Sequence, residues 1–256
     1  MGCAGRYGDG DLQWMTAGSG IVHGEMFPLV NQNKGNTMRM FQLWLNLPAK
    51  SKMVPANQLM HWSENITRFS SSDSKTRATV LAGSLHGHTA LPPIRDSWAN
   101  DPANDVNIWH LIMKPGAKFT LPKSAKGSNR SLYCVEGSGL TLDKTTKVPE
   151  SAMVEFKDHS SNDIVLENTG SEKDLEILIL QGKPINEPVA QHGPFVMNTR
   201  QEIIQAFNDY SRTRFGGWPW PEDAMAFPRE KGRFLSVKGK PEEYPPSVSN
   251  ASSQKE

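Results

Sequence analysis

Cysteine is nearly missing from this chain. Cys3 and Cys134 are its only two thiols in 256 residues, which is no disulfide framework and suits a reducing compartment. A surplus of charge of one sign is missing as well. Lys and Arg number 28 against 27 Asp and Glu, for a formal net charge of +1. A strong electrostatic grip on nucleic acid draws on many cationic contacts to phosphate. No direct nucleic-acid binding is therefore expected, and a DNA-associated role would run through a protein partner. Long apolar runs are absent. Stretches such as Leu175 to Leu180 are too short to span a bilayer, so no membrane association is expected. Met1-Gly2-Cys3-Ala4-Gly5-Arg6 departs from an acylation signal at Arg6, where Ser or Thr is preferred. The sequons at Asn65-Ile66-Thr67 and Asn129-Arg130-Ser131 have no secretory context.

What the chain does have is turns. Gly 21 and Pro 18, with 37% hydrophobic residues, favour a turn-rich β protein with enough length to bury a core. The strongest chemical signal lies between Gly8 and Glu25. Gly8-Asp9-Gly10-Asp11 reads as a turn. A strand is expected over Leu12 to Met15, a second turn at Ala17-Gly18-Ser19-Gly20, and a second strand over Ile21 to Glu25. Alternate residues of a strand share a face, so His23 and Glu25 would point the same way. An imidazole and a carboxylate two residues apart are donors suited to non-haem iron or another first-row metal. On an arbitrary strand such a pair is more often a surface pair.

Further along, Met1 to Arg6 shows no pattern and Met26 to Thr37 reads as loop. Met38 to Leu47 alternates as a strand, with Phe41, Leu43, Leu45 and Leu47 on one face. Gln58 to Trp62 suggests a short helical turn. Strands are expected over 76–82, 107–113, 131–136, 153–156, 163–166 and 175–180, with a turn at Lys114-Pro115-Gly116-Ala117. His86-Gly87-His88 lies between Gly83 and Pro92-Pro93 and reads as a solvated loop pair, with replacement metal ligands as the alternative. Thr199-Arg200-Gln201-Glu202 is a capping box. Ile203, Ile204, Phe207 and Tyr210 follow at helical spacing, giving one helix over 199–214.

The run Gly10-Asp11-Leu12-Gln13-Trp14-Met15-Thr16-Ala17-Gly18-Ser19-Gly20-Ile21-Val22-His23-Gly24-Glu25 resembles the signature of the pirin family, which are two-barrel cupins (bicupins). The likeness continues through Phe41-Gln42-Leu43-Trp44-Leu45-Asn46-Leu47-Pro48-Ala49-Lys50. It resumes at Ala82-Gly83, at Gly137 to Leu140 and at Gly193-Pro194-Phe195-Val196-Met197-Asn198-Thr199. The resemblance implies an all-β fold of two jelly-roll barrels with a C-terminal helix. The expected division is a partial N-terminal domain over 1–95, a C-terminal cupin domain over 96–236 and a disordered tail over 237–256. It also implies one iron ion, Fe(II) or Fe(III), per chain, held in the first barrel by three His and one Glu, of which His23 and Glu25 match the last two. The family's other two ligands form an upstream His-x-His motif that has no counterpart in this sequence, so the first barrel is expected to be incomplete and its metal site impaired. Lys114 to Gly139 resembles a cupin first motif with its ligand positions replaced; Tyr133 and Glu136 stand where His would be. The second barrel is expected to bind no metal.

The resemblance opens three functional readings. One is an iron-binding nuclear co-regulator that meets a transcription-factor partner, acting as a monomer in nucleus and cytoplasm. Another is a quercetin 2,3-dioxygenase, an iron oxygenase acting on a flavonol, with Glu25 also as general base toward the substrate hydroxyl and Gln13, Trp14 and Met15 near the pocket. The third is a metal-free remnant in which only the second barrel folds well.

Overall fold

Alternation of apolar side chains decides how the middle of the chain folds. In Asn107–Met113, Trp109, Leu111 and Met113 are fully buried, while His110 and Ile112 on the other face are half-buried. Leu175–Gly182 and Thr76–Ala82 are buried on both faces for part of their length, from Leu175 to Ile179 and from Ala78 to Val80, and their β-branched and aliphatic residues suit a pleated surface.

The structure, a computed structural model, describes residues 2–157 and 159–246. The chain divides into two compact units, one over 65–186 and the other built from 2–64 and 187–246. The first stretch carries β1 (Ala4–Arg6), β2 (Leu12–Thr16), α1 (Ala49–Lys52) and β3 (Asn57–His61). The central unit then runs through β4 (Thr67–Ser70), β5 (Thr76–Ala82), β6 (Ser84–Leu85), β7 (His88–Thr89), β8 (Asn107–Met113) and β9 (Lys118–Leu121). It continues with β10 (Asn129–Glu136), β11 (Leu140–Leu142), β12 (Thr146–Val148), β13 (Met153–Phe156), β14 (Ile164–Asn168) and β15 (Leu175–Gly182). The last stretch holds β16 (Ala190–His192), β17 (Phe195–Met197), α2 (Arg200–Thr213) and β18 (Phe234–Ser236).

The central unit is a jelly roll. A six-stranded antiparallel sheet, β13-β10-β15-β8-β5-β4, and a four-stranded sheet, β12-β11-β14-β9, share one hydrophobic core. Leu111, Met113, Leu132, Leu175 and Ile177 enter it from the larger sheet, and Leu121, Leu140 and Leu166 from the smaller. The expected boundary near residue 95 falls inside this unit, because β5 pairs with β8 with Thr76 opposite Met113.

The other unit is stitched together from both ends of the chain. β1 pairs with β18, Gly5 opposite Leu235, so Ala4 to Arg6 is not patternless. The Arg6 guanidinium donates to the carbonyls of Phe227 at 2.6 Å and Pro228 at 2.9 Å. Asn57–His61 is a strand, not a helical turn, because β2 lies antiparallel to it with Trp14 opposite Leu59 and takes its backbone groups. Arg233 bridges Asp11 and Glu64, with 2.7 Å to Asp11. Helix α2 starts where its capping box predicts, the Thr199 hydroxyl accepting from Glu202 N and Glu202 accepting from Thr199 N at 2.7 Å. Of the expected tail, 247–256 lies outside the described residues. Val237 to Pro246 is partly tied down, with Leu235 and Glu243 exchanging two backbone hydrogen bonds of 2.8 Å.

Two expected strands do not form. Residues 21–25 and 38–47 are irregular. Alternation makes a strand only where a neighbour takes up the backbone N–H and C=O groups, and neither segment pairs with a strand among the described residues. Most of the expected apolar face of the second segment is left outward, with Phe41 41%, Leu43 42% and Leu45 38% exposed. No helix among the described residues is long and apolar enough to cross a membrane. Cys3 and Cys134 are both free thiols.

Candidate functional site

The stretch that carries His23 and Glu25 is placed from two directions. On one side, the turn after β2 is pinned by backbone: Gly20 N donates to Ala17 O at 3.0 Å and Ser19 N to Val54 O at 2.9 Å. Gly18 sits at φ +53°, and a Cβ there would lie 2.0 Å from Val54 O. Gly20, at φ +124°, faces the Phe215 ring so closely that a Cβ would meet it at 2.5 Å. Both positions need glycine for conformation and for space. On the other side, Trp218 packs against Gly24, between His23 and Glu25, and anchors its own Nε1 on Glu222 O at 2.8 Å. The segment that follows α2 thus forms a wall behind the candidate site.

His23 and Glu25 themselves are exposed and lie on irregular backbone rather than on one face of a strand. The Tyr7 hydroxyl donates to Glu25 Oε1 at 3.4 Å, a long and weak hydrogen bond. Burial of the half-buried Tyr7 ring, and after it the Glu25 carboxylate, holds the phenol above its usual value. Gln13, Trp14 and Met15 lie on β2 and pair with Met60, Leu59 and Gln58 of β3. A hollow of about 520 Å³ in the same unit is lined by Val30 to Lys34 and Arg229, not by His23 or Glu25.

The four-donor iron site implied by the resemblance can be tested against this arrangement. His23 and Glu25 supply an imidazole and a carboxylate. Among the described residues, no three of His, Cys, Asp and Glu gather as a metal-holding group. Two exposed donors leave an ion mostly to water, so these residues do not fit a resident iron by themselves.

The two other histidines singled out by their spacing are engaged elsewhere. His86-Gly87 forms the two-residue turn of the β6–β7 hairpin, with both residues at positive φ. His86 Nε2 lies 2.8 Å from Thr120 O. The His88 ring stacks on Phe69 at 4.1 Å between centroids. The pair is therefore a hairpin tip rather than an open loop. In the central unit Tyr133 lies on the sheet face opposite Leu132 and Cys134, opposite Leu178 of β15.

Spacing alone gives no hint of Arg130. It occupies an inward position of β10, in line with Leu132 and Cys134, and is 2% exposed. Its signal is a cation on the apolar phase of an alternating strand, which the reading of that strand as starting at Ser131 left out.

The family model described as pirin matches residues 1–45, and that described as the pirin C-terminal cupin domain matches 108–216. A Pseudomonas aeruginosa protein, provisionally named a quercetin 2,3-dioxygenase, is 33% identical over 214 residues, covering 84% of this chain and 70% of the relative. A pirin-like protein of Solanum lycopersicum is 35% identical over 219 residues, covering 84% and 68%. The crystal structure of a quercetin 2,3-dioxygenase from Acinetobacter baumannii superposes with a TM-score of 0.64 at 27% identity, covering 81% of this chain and 67% of that one.

Proposed function

Since this chain belongs to the pirin family of cupin proteins, we propose that it acts as a pirin-type binding protein, a co-regulator that docks on a transcription-factor partner in nucleus and cytoplasm. One observation carries this reading. Along irregular backbone the chain presents Phe27, Leu29, Val30, Phe41, Leu43 and Trp44 to solvent, from 41% to 77% exposed. Large apolar side chains held out of the core in one segment are the usual mark of an interaction surface. The near-neutral charge, +1, supports a protein partner over a phosphate backbone.

A second reading, oxygenation of a flavonol, is supported by relatives that carry a quercetin 2,3-dioxygenase name. It calls on iron, and His23 with Glu25 offers two of the donors. In this reading Glu25 would take the proton of the substrate hydroxyl. A third reading, a metal-free remnant in which only the second barrel folds well, calls on no ion.

Two assays separate the readings. Proximity labelling in cells should recover nuclear transcription factors with the wild-type chain and lose them when Phe41 and Trp44 are both changed to Ser; unchanged labelling sinks the docking proposal. Quercetin incubated in air with iron-supplied protein should be consumed no faster than in buffer with iron. Consumption that Glu25→Gln abolishes would replace the first reading by the second.

A further inference from the structure

We infer that residues 38–47 are a strand acceptor, and that the segment they accept is an extended acidic peptide in which apolar and acidic side chains alternate; this rests on the docking role proposed for the chain and gives the partner its chemistry. The backbone decides the shape of the occupant. Over 38–47 the chain runs without turn or bend, and no residue from 21 to 47 stands at positive φ. The backbone groups of Gln42, Leu43, Trp44 and Leu45 meet no backbone partner among the described residues. Neither Pro nor Gly interrupts 38–47. Such a stretch is a strand edge without a neighbour, and an extended segment laid beside it supplies the missing hydrogen bonds.

The flanks of the stretch are held in place. Before it, Arg229 Nη1 donates to Leu29 O at 2.7 Å and to Val30 O at 2.6 Å. At its far end Lys52 Nζ donates to Asn46 Oδ1 at 2.7 Å, and Ala49 N donates to Glu187 Oε2 at 2.6 Å. An incoming strand therefore meets a backbone whose ends are already placed, which lowers the ordering cost of binding.

The side chains decide its chemistry. Phe41, Leu43 and Leu45 alternate and are exposed, as are Met40 and Trp44 between them, so the incoming strand needs apolar residues at every second position. From 26 to 63 the sequence holds Lys34, Arg39, Lys50 and Lys52 and no Asp or Glu. Lys34, Arg39 and Lys50 are exposed. Glu187, which is brought up to α1, is taken by Ala49 N and by Asn198 Nδ2 at 3.0 Å. Acidic residues between the apolar ones complement this one-signed stretch. The same charge disfavours a second copy of the chain, whose paired strand would set cations against cations. Lipid is disfavoured by the backbone, whose N–H and C=O groups would enter hydrocarbon without partners.

The test is fluorescence anisotropy with labelled peptides as long as 38–47, together with hydrogen exchange. A peptide of alternating leucine and glutamate should bind, and the amides of Gln42 to Leu45 should gain protection. The same peptide with lysine in place of glutamate should bind at least about tenfold more weakly. Two further peptides, N-methylated on the leucine or on the glutamate amides, keep every side chain and lose the donors of one edge; one of the two should fail to bind. Arg39→Glu with Lys50→Glu should turn the preference toward the lysine peptide, and should that variant fail to fold, the N-methylated peptides decide the matter. Binding of both N-methylated peptides as tightly as the parent, or of the lysine peptide as tightly as the glutamate one, overturns the assignment. So do dimers formed without peptide, and capture by phosphatidylserine vesicles in place of the peptide. A glutamate peptide that does not bind, while proximity labelling still depends on Phe41 and Trp44, overturns the strand acceptor and leaves the docking role standing. A glutamate peptide that binds, while labelling ignores Phe41 and Trp44, supports the acceptor and removes the docking role.

Discussion

Glu25 is the residue whose surroundings say most about the candidate site. Its nearest named partner is a phenol, not a second imidazole or carboxylate: Tyr7 donates to it at 3.4 Å. Burial first, and Glu25 second, raise the Tyr7 pKa above 10.0. A pKa raised on folding contributes stability below the unfolded value, and that contribution is lost as pH climbs through the folded value. Tyr7→Phe should therefore leave neutral-pH unfolding nearly unchanged and shrink the loss of stability above pH of about 10, measured by urea unfolding at both pH values. Glu25→Gln should move the Tyr7 titration, followed by near-ultraviolet absorbance, part of the way back toward 10, because burial remains. A midpoint that Glu25→Gln leaves unmoved would show that the two side chains do not meet in solution. His23 and Glu25 were legible in the sequence as donors two residues apart. Their exposure was not, because it depends on how Trp218 and Phe215 pack on the loop from far along the chain.

At the scale of elements, signals contained within a few residues read correctly. The capping box at Thr199 and the apolar spacing from Ile203 to Tyr210 place α2 almost to the residue, since the cap and the helix share one local set of hydrogen bonds. Thr199→Ala should cost about 1 kcal/mol of unfolding free energy, and a urea midpoint unchanged from wild type would contradict the cap. The strands expected over 76–82 and 107–113 form as β5 and β8, which have strands on both sides. Alternation misled at 38–47, where Phe41, Leu43 and Leu45 alternate and yet remain irregular and exposed. Strand pairing is a property of two segments, and one segment's pattern cannot supply the other. The reverse error at Asn57–His61 has the same origin: β2 recruits it. The two-residue turn at His86-Gly87 needs positive φ at both positions, which the Gly hints at and the His hides.

For the molecule as a whole, the cupin fold and the pirin family were readable from motifs, whereas the grouping of the chain was not. Unit membership follows long-range pairing such as β1 with β18 and β5 with β8, and no local composition marks it. The central unit carries the larger continuous core. Leu111→Ala, at a position with 0% exposure, should destabilise the protein by about 2–5 kcal/mol in calorimetry or urea unfolding. A loss below about 1 kcal/mol would mean that the core is looser than its packing implies. Donor count argues against a resident iron: one imidazole and one carboxylate, both exposed, with no third metal-binding side chain gathered to them among the described residues. The most direct test is the iron content of the purified 256-residue chain after incubation with ferrous salt and removal of loosely held metal, with His23→Ala as control. The account predicts far less than one iron per chain, and no difference between wild type and His23→Ala. Close to one iron per chain, lost in His23→Ala, would contradict it and place a complete metal centre at His23 and Glu25.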